Sequence, residues 1–195
     1  MKATLYSINR PHTDNIKSGR KLWEIRKTKP NIPVPFTSLI YETKKKGGCG
    51  KVIGEFICDK IHEIEYCGSQ YLINKDIALT NRVAKESCLY YDDLRKYIGA
   101  KKGYALHISN LKIYDKPKEL SEFKLWCDRA AELDMMVGDG KLIYGDFTKD
   151  RCLTCMRSRP VGRDYGGNGI SIEINCNRQI ERPPQSWCYV ETQGE

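Results

Sequence analysis

The sequence predicts an α+β fold: a small β-barrel with short flanking helices and an irregular C-terminal insertion. Three observations predict it. Short alternating or apolar runs recur between turn signals over the first part of the chain, as half-buried strands do. Few segments carry helical periodicity, and those that do are short. From about residue 134 the glycines Gly138, Gly140, Gly145, Gly162, Gly166, Gly167 and Gly169 crowd together and periodicity is lost. Short strands with one or two helices suit a barrel with helices packed on it.

The elements follow in order. Residues 3–8 read as a strand. Arg10-Pro11-His12 opens a short helix, with Pro11 suited to its first turn, and Gly19 stops it as a left-handed cap. Residues 22–27 are a second strand, with Leu22, Glu24 and Arg26 facing one way and Trp23 and Ile25 the other. Pro30, Pro33 and Pro35 make an extended connection to a strand at 37–43. Residues 44–50 are a basic turn and 51–59 a fourth strand. Residues 70–86 are ambiguous and partly helical; Ser87 is placed to cap a helix over 88–98 that Gly99 closes. Residues 104–114 read as one strand ended by Pro117, and 119–133 as a helix. Within the insertion a short strand is expected at 170–174, and 187–191 returns as a final strand.

A chain of 195 residues is one domain, or one domain with a large insertion. The expected division is a barrel domain of residues 1–133 with 182–191, and a glycine-rich, cysteine-containing insertion at 134–181. Hydrophobic residues are 40% of the chain and charged ones 30%, which excludes a disordered tail or a fibre. No apolar run is long enough for a membrane helix, and the first residues lack a signal-peptide core. A cytoplasmic protein without a membrane partner is the expectation.

Charge is unevenly spread. Residues 1–51 hold 12 lysines or arginines against Asp14, Glu24 and Glu42, a net +9; the remainder holds 21 basic and 22 acidic residues, a net −1. Such concentration points to a positive surface for a polyanion, most simply nucleic acid. The plainer reading is a solvated face that aids solubility.

Nine cysteines, an odd number with no secretion signal, argue against a disulfide framework. Cys58, on a strand, reads as a small buried hydrophobe. Cys152-Leu153-Thr154-Cys155 is a Cys-x2-Cys knuckle; with Cys127 and Cys176 it offers four thiolates for a structural Zn²⁺ that would staple the insertion. Free thiols are the alternative, and no cofactor is required. Trp23 and Trp187 on strands suit core positions better than base-stacking platforms.

The most informative stretch runs from Ile16 to Lys27. A helix ends at Gly19, Lys21 follows at the turn, and a strand presents Glu24 and Arg26 on one face, roughly 7 Å apart. That acid and guanidinium can pair with each other as a structural ion pair, or together read a base edge and a phosphate. Lys21 can supply a point charge, or an amine for chemistry if burial lowers its pKa.

This stretch, with Ser7-Ile8-Asn9-Arg10-Pro11 before it, resembles the ASCH domain family of the PUA-like superfamily, in the stand-alone form found in bacteria and phages. The family pattern I-x-x-G-x-K-x-x-E-x-R-K is met by Ile16, Gly19, Lys21, Glu24, Arg26 and Lys27; Ser7 and Ile8 fit the preceding strand end, with the proline one place late at Pro11. Residues 39–43, 50–56, 102–108 and 183–190 resemble the later family segments, while the insertion lies outside the resemblance.

The resemblance implies a PUA-like β-barrel whose cleft accepts RNA, DNA or a nucleotide-like ligand, with RNA favoured. Carried over by position, Lys21, Glu24 and Arg26 lead the site, with Arg10, Tyr41, Thr43 and Ser186 joining from adjacent motifs. Lys17, Arg20, Lys27 and Lys44-Lys45-Lys46 are expected to line or flank the positive cleft. Some ASCH-like proteins hydrolyse acylated nucleosides or cleave RNA, so an alternative is a hydrolase using Lys21 and Glu24. Glu24 stands where the amidohydrolase arrangement has threonine, and Glu86 is the candidate later carboxylate. A third reading is a phage or mobile-element accessory protein that contacts a host protein or ribonucleoprotein through the insertion.

Overall fold

A computed structural model of the chain describes residues 1–68, 70–99, 101–126 and 179–192, and the backbone of 161–163 and 172–174. The fold is α+β and mostly strand. A six-stranded sheet has the order β8-β4-β3-β1-β12-β9, a four-stranded sheet the order β2-β7-β5-β6, and β10 and β11 form a separate pair. The large sheet comprises β1 (Lys2–Ile8), β3 (Phe36–Glu42), β4 (Lys51–Cys58), β8 (Ser109–Lys118), β9 (Lys124–Leu125) and β12 (Trp187–Glu191). The second holds β2 (Trp23–Arg26), β5 (Ile61–Cys67), β6 (Gln70–Ile73) and β7 (Gly103–His107); β10 is Val161–Arg163 and β11 Ile172–Ile174. The helices are α1 (Arg10–Lys17), α2 (Ile77–Glu86) and α3 (Tyr91–Ile98). The described strands thus form open sheets, where a closed barrel was expected.

Strand parity explains the layering. On β1, Ala3 and Leu5 join Leu39, Tyr41, Val52 and Val190 on one face of the large sheet. Tyr6 and Ile8 point to the other face, with Phe36, Ile40, Phe56 and Leu106. On β2, Trp23 and Ile25 pack with Ala105, Val83, Leu94 and Ile98, beneath α2 and α3. Glu24 and Arg26 therefore turn the opposite way, toward the large sheet, where the Arg26 guanidinium lies 5.0 Å from the Tyr6 ring centre. Leu22, just before the strand, packs with Trp23's cluster, contrary to its expected face.

Several expected boundaries shift for identifiable reasons. Ser87 ends α2, its N–H bonded to Val83 and Ala84 carbonyls, and does not cap α3, which starts at Tyr91. Residues 104–114 divide into β7 and β8 of different sheets, and Pro117 lies within β8, where an edge strand tolerates a missing N–H. The helix expected at 119–133 is not α-helical over 119–126, and 127–133 lie outside the described residues. Leu120–Glu122 is one 3₁₀ turn, and Lys124–Leu125 pairs with Val190 and Glu191. Sheet pairing and burial of Leu120 outweigh local helix preference there. The final strand does return to the large sheet, antiparallel to β1. Gly19 and Gly99 end their helices at positive φ, +72° and +68°.

Candidate nucleic-acid interface

An open groove of about 1030 Å³ runs beside the C-terminal end of β1. Its lining includes Arg26, Lys27, Tyr41, Thr43, Lys44, Lys45 and Ser186, together with Ser7, Asn9, Tyr97 and Gln185. Three segments from distant parts of the sequence build it. The β2 end supplies Arg26 and Lys27, the β3 end and its loop supply Tyr41 through Lys45, and residues 183–186 form a wall. That wall is tied to β1: Ser7 donates its hydroxyl to the Pro184 carbonyl at 2.7 Å, and Ser7 N–H reaches the Ser186 carbonyl at 3.0 Å.

The basic loop is fixed at several points. Thr43 bonds Asn9 Oδ1 through its hydroxyl at 2.8 Å. Arg10 donates to the Gly47 carbonyl at 2.8 Å and also meets Asp14 at 3.7 Å. Glu42, almost wholly buried, accepts from the Thr13 hydroxyl, from Lys17 Nζ at 3.2 Å and from Cys49 N–H at 3.0 Å. Burial alone would raise its pKa; those three donors outweigh this and hold it at about 2. Lys17 is therefore engaged in anchoring the loop. Lys44 lies against Gly50, where an added Cβ would sit 2.6 Å from its side chain.

Lys21, Glu24 and Arg26, which the resemblance placed along the cleft, lie together in a dry setting. Their exposures are 2%, 6% and 5%. Lys21 Nζ donates to the Ser87 carbonyl at 2.8 Å and meets Glu24 Oε2 at 3.3 Å. The other oxygen, Glu24 Oε1, meets Arg26 Nη2 at 2.9 Å, and Nη2 also donates to the Ser7 carbonyl at 3.0 Å. Burial pushes the Glu24 pKa up, but Lys21 and Arg26 together pull it below its ordinary value, so the acid is ionised. Burial, reinforced by the Lys21 charge, lowers the pKa of nearby His12. Of the three, Arg26 alone borders the groove. Glu86, the candidate later carboxylate, accepts from the Trp23 indole at 2.9 Å. Arg20 is exposed and bonds Ser18, and Lys46 sits on the loop outside the groove lining.

Tyr97, Asn9 and Ser7 line the groove but were not singled out by sequence as ligand contacts. Lys27 Nζ stands 5.1 Å from the Tyr97 ring centre, a cation–π contact that places α3 at the rim. No local sequence signal joins Tyr97 to Lys27; the packing of α3 across the chain does. The Ser7 contacts depend on pairing across 177 residues, which no local pattern announces.

The proposed zinc ligands Cys127, Cys152, Cys155 and Cys176 lie outside the described residues. Among the described residues no group of three or more His, Cys, Asp or Glu side chains is arranged to hold a metal ion. Cys58 is fully buried, and that burial pushes its thiol up to about 12. No helix among the described residues is long and apolar enough to cross a membrane.

No protein-family profile matches the chain, and no curated protein matches it. Solved structures do. The crystal structure of ASCH from Zymomonas mobilis is 23% identical over 60% of this chain and 73% of that one, with a TM-score of 0.48. Two variants of that protein, one with a tyrosine changed to phenylalanine and one with a serine changed to alanine, are each 22% identical with TM-scores of 0.49. They cover 62% and 60% of this chain and 77% and 74% of theirs. The chain is similar in fold to ASCH structures.

Proposed function

We propose that the protein binds RNA in this groove. One observation carries the reading: Lys27, Lys44 and Lys45 rim an open groove whose floor includes Arg26. At about 1030 Å³ the groove is at or above the roughly 300–1,000 Å³ of small-molecule sites, which favours a polymer segment over one small ligand. Lysines spread along a groove track a phosphate backbone, and Tyr97 at the rim offers an aromatic face to an unstacked base. The Gln185 amide and Ser186 hydroxyl on the wall suit a 2′-hydroxyl, which favours RNA over DNA. Lys21 gives the hydrolase alternative no support, since its ammonium is committed to Glu24 and the Ser87 carbonyl.

Fluorescence anisotropy tests the reading, using a labelled single-stranded RNA and the DNA of the same sequence over a range of salt. Log affinity should fall linearly with log salt. Lys27→Ala, Lys44→Ala and Lys45→Ala should each reduce the slope by about 0.7. Affinity that is independent of salt, or unchanged in all three variants, refutes the proposal.

A further inference from the structure

We infer that Glu24 is a positioning residue that presents the Arg26 guanidinium to a phosphate in the groove, and that Lys21 locks Glu24 in place. The inference rests on RNA being the ligand of the groove.

The two ends of the guanidinium are used unequally. Nη2 is fully engaged, 2.9 Å from Glu24 Oε1 and 3.0 Å from the Ser7 carbonyl. Nη1 makes 3.3 Å contacts to the Ser186 carbonyl and to Ser186 Oγ, beyond the usual range of a good N–H···O bond, Nε is buried without a hydrogen-bond partner, and the Tyr97 phenol also meets the guanidinium from the groove side. Arg26 and Ser186 both border the groove. The loosely used nitrogen thus sits beside a groove-lining hydroxyl. A phosphate oxygen arriving there would take a charge-assisted bond from Nη1, and the Ser186 hydroxyl can turn its proton to the same oxygen.

The locking is equally asymmetric. An arginine side chain has many rotamers, and the fork is useful only if its plane is held. Below, the Tyr6 ring lies 5.0 Å from the guanidinium carbon. Behind it, Glu24 holds Nη2 with one carboxylate oxygen while Lys21 occupies the other at 3.3 Å. Lys21 is anchored in turn on the Ser87 carbonyl, at the C-terminal end of α2. A chain of charge-assisted contacts therefore runs from that helix end to the groove, and only its last member is placed to meet ligand.

The test is a double-mutant cycle on RNA binding, with each variant checked as folded by circular dichroism. Arg26→Gln should weaken binding about tenfold, one charge-assisted bond, and lower the salt slope by about 0.7. Glu24→Gln should weaken binding severalfold and lower the slope in the same direction, although Glu24 does not line the groove. The double variant should bind no more weakly than Arg26→Gln alone, because Glu24 acts through Arg26. A purely structural Glu24 would leave the slope of the folded protein unchanged. If Glu24→Gln does not fold, Glu24→Asp keeps the charge but withdraws it, and should show the same loss of affinity and slope. Wild-type affinity and slope in the folded Glu24 variant, or losses that multiply in the double variant, overturn the inference while RNA binding stands. A wild-type protein that binds no RNA overturns both.

Discussion

Glu42 links the stability of the fold to the posture of the basic loop, and its replacement by glutamine gives a pH-dependent signature. The carboxylate is 4% exposed and held at about 2, against an ordinary value of 4.5. Because the folded value is depressed, the stabilisation is fully present above about pH 5 and is lost as pH falls toward 2. At 1.36 kcal/mol per unit, the difference amounts to about 3 kcal/mol at neutral pH. With an m-value of roughly 2 kcal/mol per molar, Glu42→Gln should lower the urea midpoint by roughly 1.5 M at pH 7. The gap between wild type and variant should narrow steadily as pH approaches 2, where the carboxyl is half protonated in the folded wild type and fully protonated in the unfolded chain. Urea unfolding followed by tryptophan fluorescence at several pH values between 2 and 7 measures this. A gap that stays constant across that range refutes the assignment of Glu42 as an ionised hub. At pH 7 the folded variant should also bind RNA more weakly, since Cys49 N–H and Lys17 lose their anionic partner and the loop carrying Lys44 and Lys45 loosens.

Two further outcomes follow from packing. Gly50→Ala places a Cβ at positive φ and 2.6 Å from the Lys44 side chain; it should cost about 1 kcal/mol and weaken RNA binding, read by thermal melting and anisotropy. Leu106→Ala opens a cavity between the two sheets and should destabilise by about 2–5 kcal/mol in urea unfolding, while leaving the groove lining untouched.

Local signals carried much of the fold. Alternation on β2 separated Trp23 and Ile25 from Glu24 and Arg26 correctly, because period two is a property of the backbone itself. Gly19 and Gly99 were readable as helix ends because few other residues accept those φ values. The failures lie where distant pairing decides. Residues 119–126 look helical alone, yet Val190 and Glu191 recruit Lys124 and Leu125 into a sheet. Strand β5 was not anticipated at all; Ile61–Cys67 carries polar and apolar residues that become a strand through partners on β7 and β6. Charge and motif singled out Lys27, Lys44, Lys45, Tyr41, Thr43 and Ser186, and the fold places all six along one groove. Burial of Lys21 and Glu24 was not legible, since a turn lysine gives no sign that a helix end will close over it.

That burial has a consequence for why three charges persist in the interior. Desolvating them costs several kcal/mol per ion, and apolar residues of similar volume would often serve stability as well or better. Two cations share one carboxylate here, so the array carries a net +1, and the member bordering the groove is a cation. Low dielectric surroundings make that surplus charge act more strongly on the groove than a solvated lysine would. The combined variant Lys21→Met, Glu24→Leu, Arg26→Met should therefore remain folded, with a urea midpoint near that of wild type. Its RNA affinity should nevertheless fall at least tenfold. If the triple variant unfolds outright, the three charges serve the fold; if it folds and binds RNA normally, they serve neither ligand nor groove.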